Sequence, residues 1–318
     1  MKPIRLFCLF IALLGAGVLS AQQDIQLTQF NANRTFYNPA AVGSRQALCI
    51  SGAYRYQWLG YEDEENVKVT PQSMVFMAEM PVYKIHSGIG LSVAVDKAGF
   101  EKNMDIRLNY AYQLKIKKTH TLAVGLSAGI LNKTIDFSQF TPEDDPLVTG
   151  SDDSESALAP DLGLGVFYQI PGKFFAGISM AHLLQPEMEI GNASYSIASH
   201  YYLMAGYDIS LINNRDTRLV LTPSVLLKTS TVSTQLDANL IVTYNDRVWG
   251  GLLYRMQDAV GIMAGVKLFD FSIGLSYDYT LSSLSEAGSK GSPEVFLRYC
   301  MPMVQKIKFR SQYNTRFM

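Results

Sequence analysis

Residues 260–280, VGIMAGVKLFDFSIGLSYDYT, decide the fold. Two runs flank Phe269-Asp270, and each alternates in character. Phe271, Ile273, Leu275, Tyr277 and Tyr279 fall on one face, with Ser272, Gly274, Ser276, Asp278 and Thr280 on the other. In the first run, Ile262, Ala264, Val266 and Leu268 oppose Gly261, Met263, Gly265 and Lys267. Successive side chains of a strand point to opposite faces, so a period of two predicts two-faced strands joined by a tight turn. One face suits hydrocarbon and carries tyrosines near one end. The other is small and polar, which suits a wet or tightly filled interior. This is the hairpin of a transmembrane β-barrel, weak for one segment and strong when repeated.

The pattern repeats along the chain. Candidate strands are 46–58, 72–81, 87–96, 104–115, 120–131, 161–170, 173–182, 199–210, 217–228, 236–244, 247–254, 260–268, 271–280 and 294–300. That makes about 14 strands, most near the ~10 residues a tilted spanning strand needs. Leu122, Val124, Leu126, Ala128 and Ile130 oppose Gly125, Ser127 and Gly129. Ile106, Leu108, Tyr110, Tyr112 and Leu114 oppose Arg107, Asn109, Gln113 and Lys115. Pro223 has no amide to donate, so a bulge is expected there. Charges within strands share the inward parity: Arg55, Arg107, Lys115, Lys228, Arg255, Lys267 and Arg298, with Asp161, Asp208, Asp237, Asp278 and Glu294. Facing lipid, such charges would cost roughly 2–4 kcal/mol each at mid-membrane. Facing inward, they line either a polar pore or a filled interior in which they pair, and the small glycine-rich face favours filling.

The connections alternate in length. Residues 59–71, 132–160, 183–198 and 281–293 are long; 171–172, 245–246 and 269–270 are short. Long extracellular loops and short periplasmic turns are the asymmetry of outer-membrane barrels, and a soluble sandwich gives no reason for it. An even number of strands places both ends of the mature chain in the periplasm. Residues 1–21 read as a signal peptide: Lys2 and Arg5 precede the apolar stretch 6–19, and Ser20-Ala21 offers a cleavage point. Residues 22–45 then form an irregular periplasmic or luminal segment, 46–300 the barrel, and 301–318 a basic periplasmic tail.

The 318 residues carry a formal net charge of −1, which gives no electrostatic argument for nucleic acid. Export leaves Cys49 and Cys300 in the mature chain, near the periplasmic ends of the first and last strands. Closure makes those strands neighbours, so a seam disulfide is possible in an oxidising compartment, against two small buried thiols. Glu143, Asp144, Asp145, Asp152, Asp153 and Glu155 mark an acidic loop for partner docking or a solvated surface, without EF-hand spacing. Lys306, Lys308, Arg310 and Arg316 are candidates for periplasmic docking. The four histidines, His86, His120, His182 and His200, all lie near strand ends, and no HExxH, GxSxG, P-loop or CxxC occurs. No catalytic residue, metal site or cofactor is expected.

DIQLTQF (24–30) and YNPAAVG (37–43), followed by SGIGLSV (87–93), LAVGLSAGI (122–130) and DLGLGVFY (161–168), give a chain that resembles the PorP/SprF membrane proteins of type IX secretion. The resemblance covers the whole mature chain. It implies a multi-pass outer-membrane barrel in Bacteroidota, set in outer-membrane lipid. It also implies a role in export or surface attachment of proteins, gliding adhesins among them, with other type IX components and the exported proteins as partners. It implies no cofactor. The alternatives from other classes are a passive or solute-specific channel, and a barrel enzyme acting on lipid.

Overall fold

The computed structural model describes residues 24–61, 70–117, 119–137, 154–191, 193–231, 233–282 and 288–303. The walls begin with β1 (Ala47–Tyr56), β2 (Gln72–Val82), β3 (Ser87–Ala98), β4 (Glu101–Lys115), β5 (Thr121–Asp136), β6 (Ser154–Ile170) and β7 (Phe174–Ala181). They continue with β10 (His200–Tyr207), β11 (Ile209–Asn213), β12 (Arg218–Thr229), β13 (Thr234–Tyr244), β14 (Val248–Arg255), β15 (Ala259–Leu268), β16 (Phe271–Thr280) and β17 (Ser292–Pro302). Between β7 and β10, β8 (Glu187–Ile190) and β9 (Ala193–Ser196) form a separate two-stranded hairpin.

Neighbours in sequence are neighbours in the sheet, all antiparallel. The ring closes because β1 pairs with β17 and β10 pairs with both β7 and β12. β11 continues β10 along β12, so the fifteen strands make fourteen staves. Closure pairs every stave on both sides and leaves no free edge, the condition for strands in lipid. The outward apolar residues stay uncovered: Leu108, Ile262 and Leu275 are 66%, 64% and 58% exposed.

Each predicted segment coincides with a stave, with two corrections. β5 and β6 are longer than expected, so the connection between them is 137–153 rather than 132–160. Asn132, Thr134 and Asp136 hold the outward parity there, with Ser156 and Ser154 on β6. Beyond Leu158, which faces outward opposite Asn132, those positions are polar, so the lipid-facing signal ends although the ladder continues. Inward, Leu131 and Ile135 pack against Met188 and Ile190 of the β8–β9 hairpin. The second correction concerns Pro223. Its ladder with β13 runs through Pro223–Leu240 without a shift. Pairing lapses instead on the other side, where neither Tyr207 nor Asp208 pairs with β12, and the register shifts between Ser210 and Ile212. A residue lacking an amide needs one empty ladder position, and the stave break supplies it.

Candidate functional site

The lumen is filled by the residues that precede β1. Leu27, Phe30, Phe36, Tyr37 and Ala40–Val42 are fully or nearly fully buried. They pack on inward Ala53, Ala94, Ala111 and Ala123, and on Phe167, Phe175, Met204 and Phe296. Small wall residues leave the room that these large side chains occupy. Within this plug, Arg34–Tyr37 makes one helical turn, α1, followed by a 3₁₀ turn at Pro39–Ala41.

Three sets of polar contacts fix the plug. At Thr28-Gln29, the Glu294 carboxylate accepts both backbone amides, Thr28 at 2.6 Å and Gln29 at 3.0 Å. Thr28 Oγ1 donates to Asp278 Oδ2 at 2.8 Å and accepts from Arg55 Nη1 at 2.5 Å. Asn239 Nδ2 donates to the Thr28 carbonyl at 3.1 Å. At Asn38, the side-chain amide donates to the carbonyls of Val166 and Ile178 at 3.0 and 3.2 Å, while Oδ1 accepts Ala40 N–H at 2.9 Å. That approach needs bare backbone: a Cβ at Gly165 would overlap Asn38, and one at Gly125 would overlap the Ala40 backbone. At the far end, Glu79 accepts from Thr35 Oγ1 at 2.8 Å, Gly43 N at 3.1 Å and Arg45 Nη1 at 2.6 Å.

The plug has a direction. Asp24 accepts from Tyr202 Oη, near the end of β10 that follows the long 182–199 connection. Val42 and Ser44 carbonyls accept from Gln113 and Gln169 at 3.1 and 3.0 Å, near the short turns. Residues 24–45 therefore descend the whole lumen. This corrects the expectation of a mature N-terminal end on the periplasmic side: the staves begin and end there, but the chain before β1 runs back up the interior.

The inward charges pair as ion networks. Arg55 Nη1 lies 2.7 Å from Asp278 Oδ2 and 3.5 Å from Glu294 Oε2. Arg255 bridges Asp237 and Asp278, each at 3.1 Å, and Lys228 reaches Asp237 at 2.9 Å. Arg55 and Arg255 are 1% and 0% exposed, so only pairing keeps them charged at tolerable cost. Arg107 pairs with Asp105 at 2.9 Å, and Arg298 donates to the Ala32 carbonyl. Asp208 accepts from Thr222 Oγ1 at 2.8 Å. Lys115 and Lys267 depart from expectation: they are exposed at the short-turn rim, beyond the filled part of the lumen.

Above the plug, toward the long connections, a cavity of about 340 Å³ is lined by Asp24, Asp96, Glu101, Asp105, His182 and His200 among others. His182 Nδ1 stands 3.2 Å from Asp161 Oδ1, an ion-pair contact outside hydrogen-bond alignment. Burial pulls the His182 pKa down, but Asp161 and Asp24 outweigh it, and the net shift is upward. His182 and His200 thus lie in the lumen. His120 contacts Tyr168 Oη, and His86 takes the left-handed conformation that ends the β2–β3 turn. Among the described residues no group of three or more His, Cys, Asp or Glu side chains is placed to hold a metal ion.

Cys49 faces Cys300 in the β1–β17 register, Cα atoms 4.1 Å apart, and the two form a disulfide. Glu155 lies in β6, not in a loop, and its Oε2 accepts Gly191 N–H at 2.6 Å. Glu143, Asp144, Asp145, Asp152 and Asp153 lie outside the described residues, as do Lys306, Lys308, Arg310 and Arg316. Asn38 belongs to a turn signal in the sequence that carries no hint of anchoring, and the plug anchors Thr28, Glu79, Asn239 and Ser179, whose Oγ donates to Tyr37 O at 2.6 Å, have no sequence signal as anchors. The usable signal was the pairing of a Phe- and Tyr-bearing polar lead-in with strands whose inward face is glycine and alanine.

A closed ring of fourteen antiparallel staves, apolar outside and packed within, is a multi-pass outer-membrane β-barrel. The chain belongs to the type IX secretion system membrane protein PorP/SprF family, whose model matches residues 19–299. No curated protein matches it. Among solved structures, it is similar to the CymD monoaromatic hydrocarbon channel at 12% identity and TM-score 0.50, over 90% of this chain and 95% of that one. It is also similar to a Pseudomonas aeruginosa FadL homologue at 11% identity and TM-score 0.43, over 84% and 93%. The KdgM porin matches at 8% identity and TM-score 0.39, over 79% and 98%. At these identities the likeness concerns the fold alone.

Proposed function

We propose that this barrel supports export or surface attachment of secreted proteins, gliding adhesins among them, by binding them at its long-loop end. It works there with other type IX components, by recognition rather than catalysis. The family supplies the secretion context. The observation that carries the binding reading is the plug. Residues 24–45 occupy the lumen and bond to staves around it, so the polar space left inside the ring is the cavity above them, toward the long connections. Barrels carry recognition in such connections. A solute channel, the rival reading, would need the plug to leave.

The test deletes residues 141–156, which hold all six acidic residues of the stretch and the first three residues of β6, in cells. Barrel insertion is expected to persist, while the exported partner loses surface retention and no longer co-purifies with the barrel. Unchanged retention and co-purification would overturn the proposal.

A further inference from the structure

Charge is divided along the barrel axis. The four long connections, 57–71, 137–153, 182–199 and 281–291, carry twelve Asp and Glu against Lys68 and Lys290. The short-turn end has the opposite sign. Each of its six turns holds a cation in it or beside it, Lys84, Lys117, Lys173, Arg215, Arg247 and Lys267, and three of those turns also hold an aspartate, Asp216, Asp246 and Asp270, which leaves the end net positive. All six are exposed, and none is in an ion pair among the described residues. Lys115 is exposed at the same rim, and Arg218 is neutralised by Asp246 at 2.6 Å.

Two features indicate what the six meet. They are spread around the full circumference, one per turn, whereas a protein partner is met by a patch on one side. They also alternate with exposed apolar side chains at the same level: Ile85, Ile116, Tyr244 and Phe269 are 52%, 57%, 48% and 95% exposed. Apolar and aromatic side chains at the acyl boundary, with cations just beyond, match a headgroup layer. We propose that this rim is a ring-shaped site for anionic phospholipid, its Lys and Arg side chains binding the phosphates of the leaflet at the short-turn end. Held all round, the barrel is fixed in depth and tilt, and its acidic end faces away from that leaflet.

The mature protein, delipidated in detergent, is offered equal amounts of phosphatidylglycerol and phosphatidylethanolamine of matched chains. Bound lipid is read by native mass spectrometry at low and high salt. The expected result is selective retention of phosphatidylglycerol that salt weakens, because each cation near an anionic surface contributes roughly fivefold. Lys84→Gln/Lys117→Gln/Lys173→Gln removes one arc and Arg215→Gln/Arg247→Gln/Lys267→Gln the other. Each is expected to lower the selectivity by about tenfold or more, and by similar factors. Lys84→Arg/Lys117→Arg/Lys173→Arg keeps it, which separates charge from folding, and unfolded variants are recognised by lost heat-modifiability on gels. Equal retention of the two lipids by the unsubstituted protein would overturn the proposal. So would a loss confined to one arc, which would mark a one-sided docking patch for an acidic protein.

Discussion

Glu294→Ala tests whether the plug is held as described. The carboxylate is 1% exposed and accepts two plug amides, Thr28 at 2.6 Å and Gln29 at 3.0 Å. Hydrogen bonds to a charged group contribute ~1.5–3 kcal/mol each, so truncation removes about 3–6 kcal/mol of plug docking. Arg55 keeps Asp278 at 2.7 Å, so the substitution does not strand a wall charge. The two amides are orphaned, and the plug recovers their solvation by loosening. At tenfold per ~1.4 kcal/mol, the loosened population rises by about two to four orders of magnitude. Trypsin reads this at Arg34, in the α1 turn. Cleavage at Arg34 in detergent is expected to accelerate at least a hundredfold (about 3 kcal/mol), with conductance appearing in planar bilayers. Glu294→Gln retains one acceptor oxygen and should fall between. An Arg34 bond equally protected in a heat-modifiable Glu294→Ala barrel, with no conductance, would refute the docking reasoning.

Three other outcomes follow from the same geometry. Gly125→Val thrusts side-chain atoms into the Ala40 backbone and should expose Arg34 to trypsin, whereas Gly250→Ala meets nothing closer than 3.7 Å and should stay within about 0.5 kcal/mol of the parent. In the mature protein, thiol alkylation without reductant should label neither Cys49 nor Cys300, and Cys49→Ser should cost ~2–4 kcal/mol against heat. Two labelled thiols in the parent would end that account. His182 has a raised folded-state pKa, so its stabilisation is complete below its unfolded value of about 6.5 and is lost as pH climbs through the folded one. Plug protection should therefore weaken from mildly acidic to alkaline pH, with a shallower slope in His182→Gln; an unchanged slope in the variant would count against it.

The barrel was legible because lipid and filling impose opposite demands on alternate residues. Leu122 to Ile130 against Gly125 to Gly129 states that demand without ambiguity. The signal failed where only one demand applies. Beyond Leu131 the outward side chains turn polar, so the ladder to Asp136 was not visible although the inward side still packs. The plug was hidden for a related reason. Residues 24–45 have no period of their own, because they answer to side chains from many staves at once. Phe30, Phe36 and Tyr37 are large side chains that gain from burial, and Asn38-Pro39 is a turn-forming pair. Neither told that the burial lay inside the ring. The pairing of Thr28 with Glu294, 266 residues apart, has no local signature.

Plug seating and barrel closure draw on the same strands. Thr28 and Gln29 are held by Glu294 on β17, Asp278 on β16 and Arg55 on β1, and Arg55 itself lies opposite Glu294 in the closing register. Farther down that seam, Cys49 bonds Cys300. Until β17 meets β1, the Thr28 site does not exist. Until the plug arrives, Glu294 and Asp278 lack the donors that Thr28 and Gln29 supply, and buried charges left short of partners oppose closure. Each step therefore supplies what the other lacks, and an open barrel with a seated plug, or a closed one with an empty lumen, is disfavoured by the same side chains. These contacts span nearly the whole chain, so closure comes late and carries a large loop-closure entropy. The disulfide offsets part of it by fixing the seam covalently, which makes the β1–β17 junction the place where fold, lumen and plug are decided together.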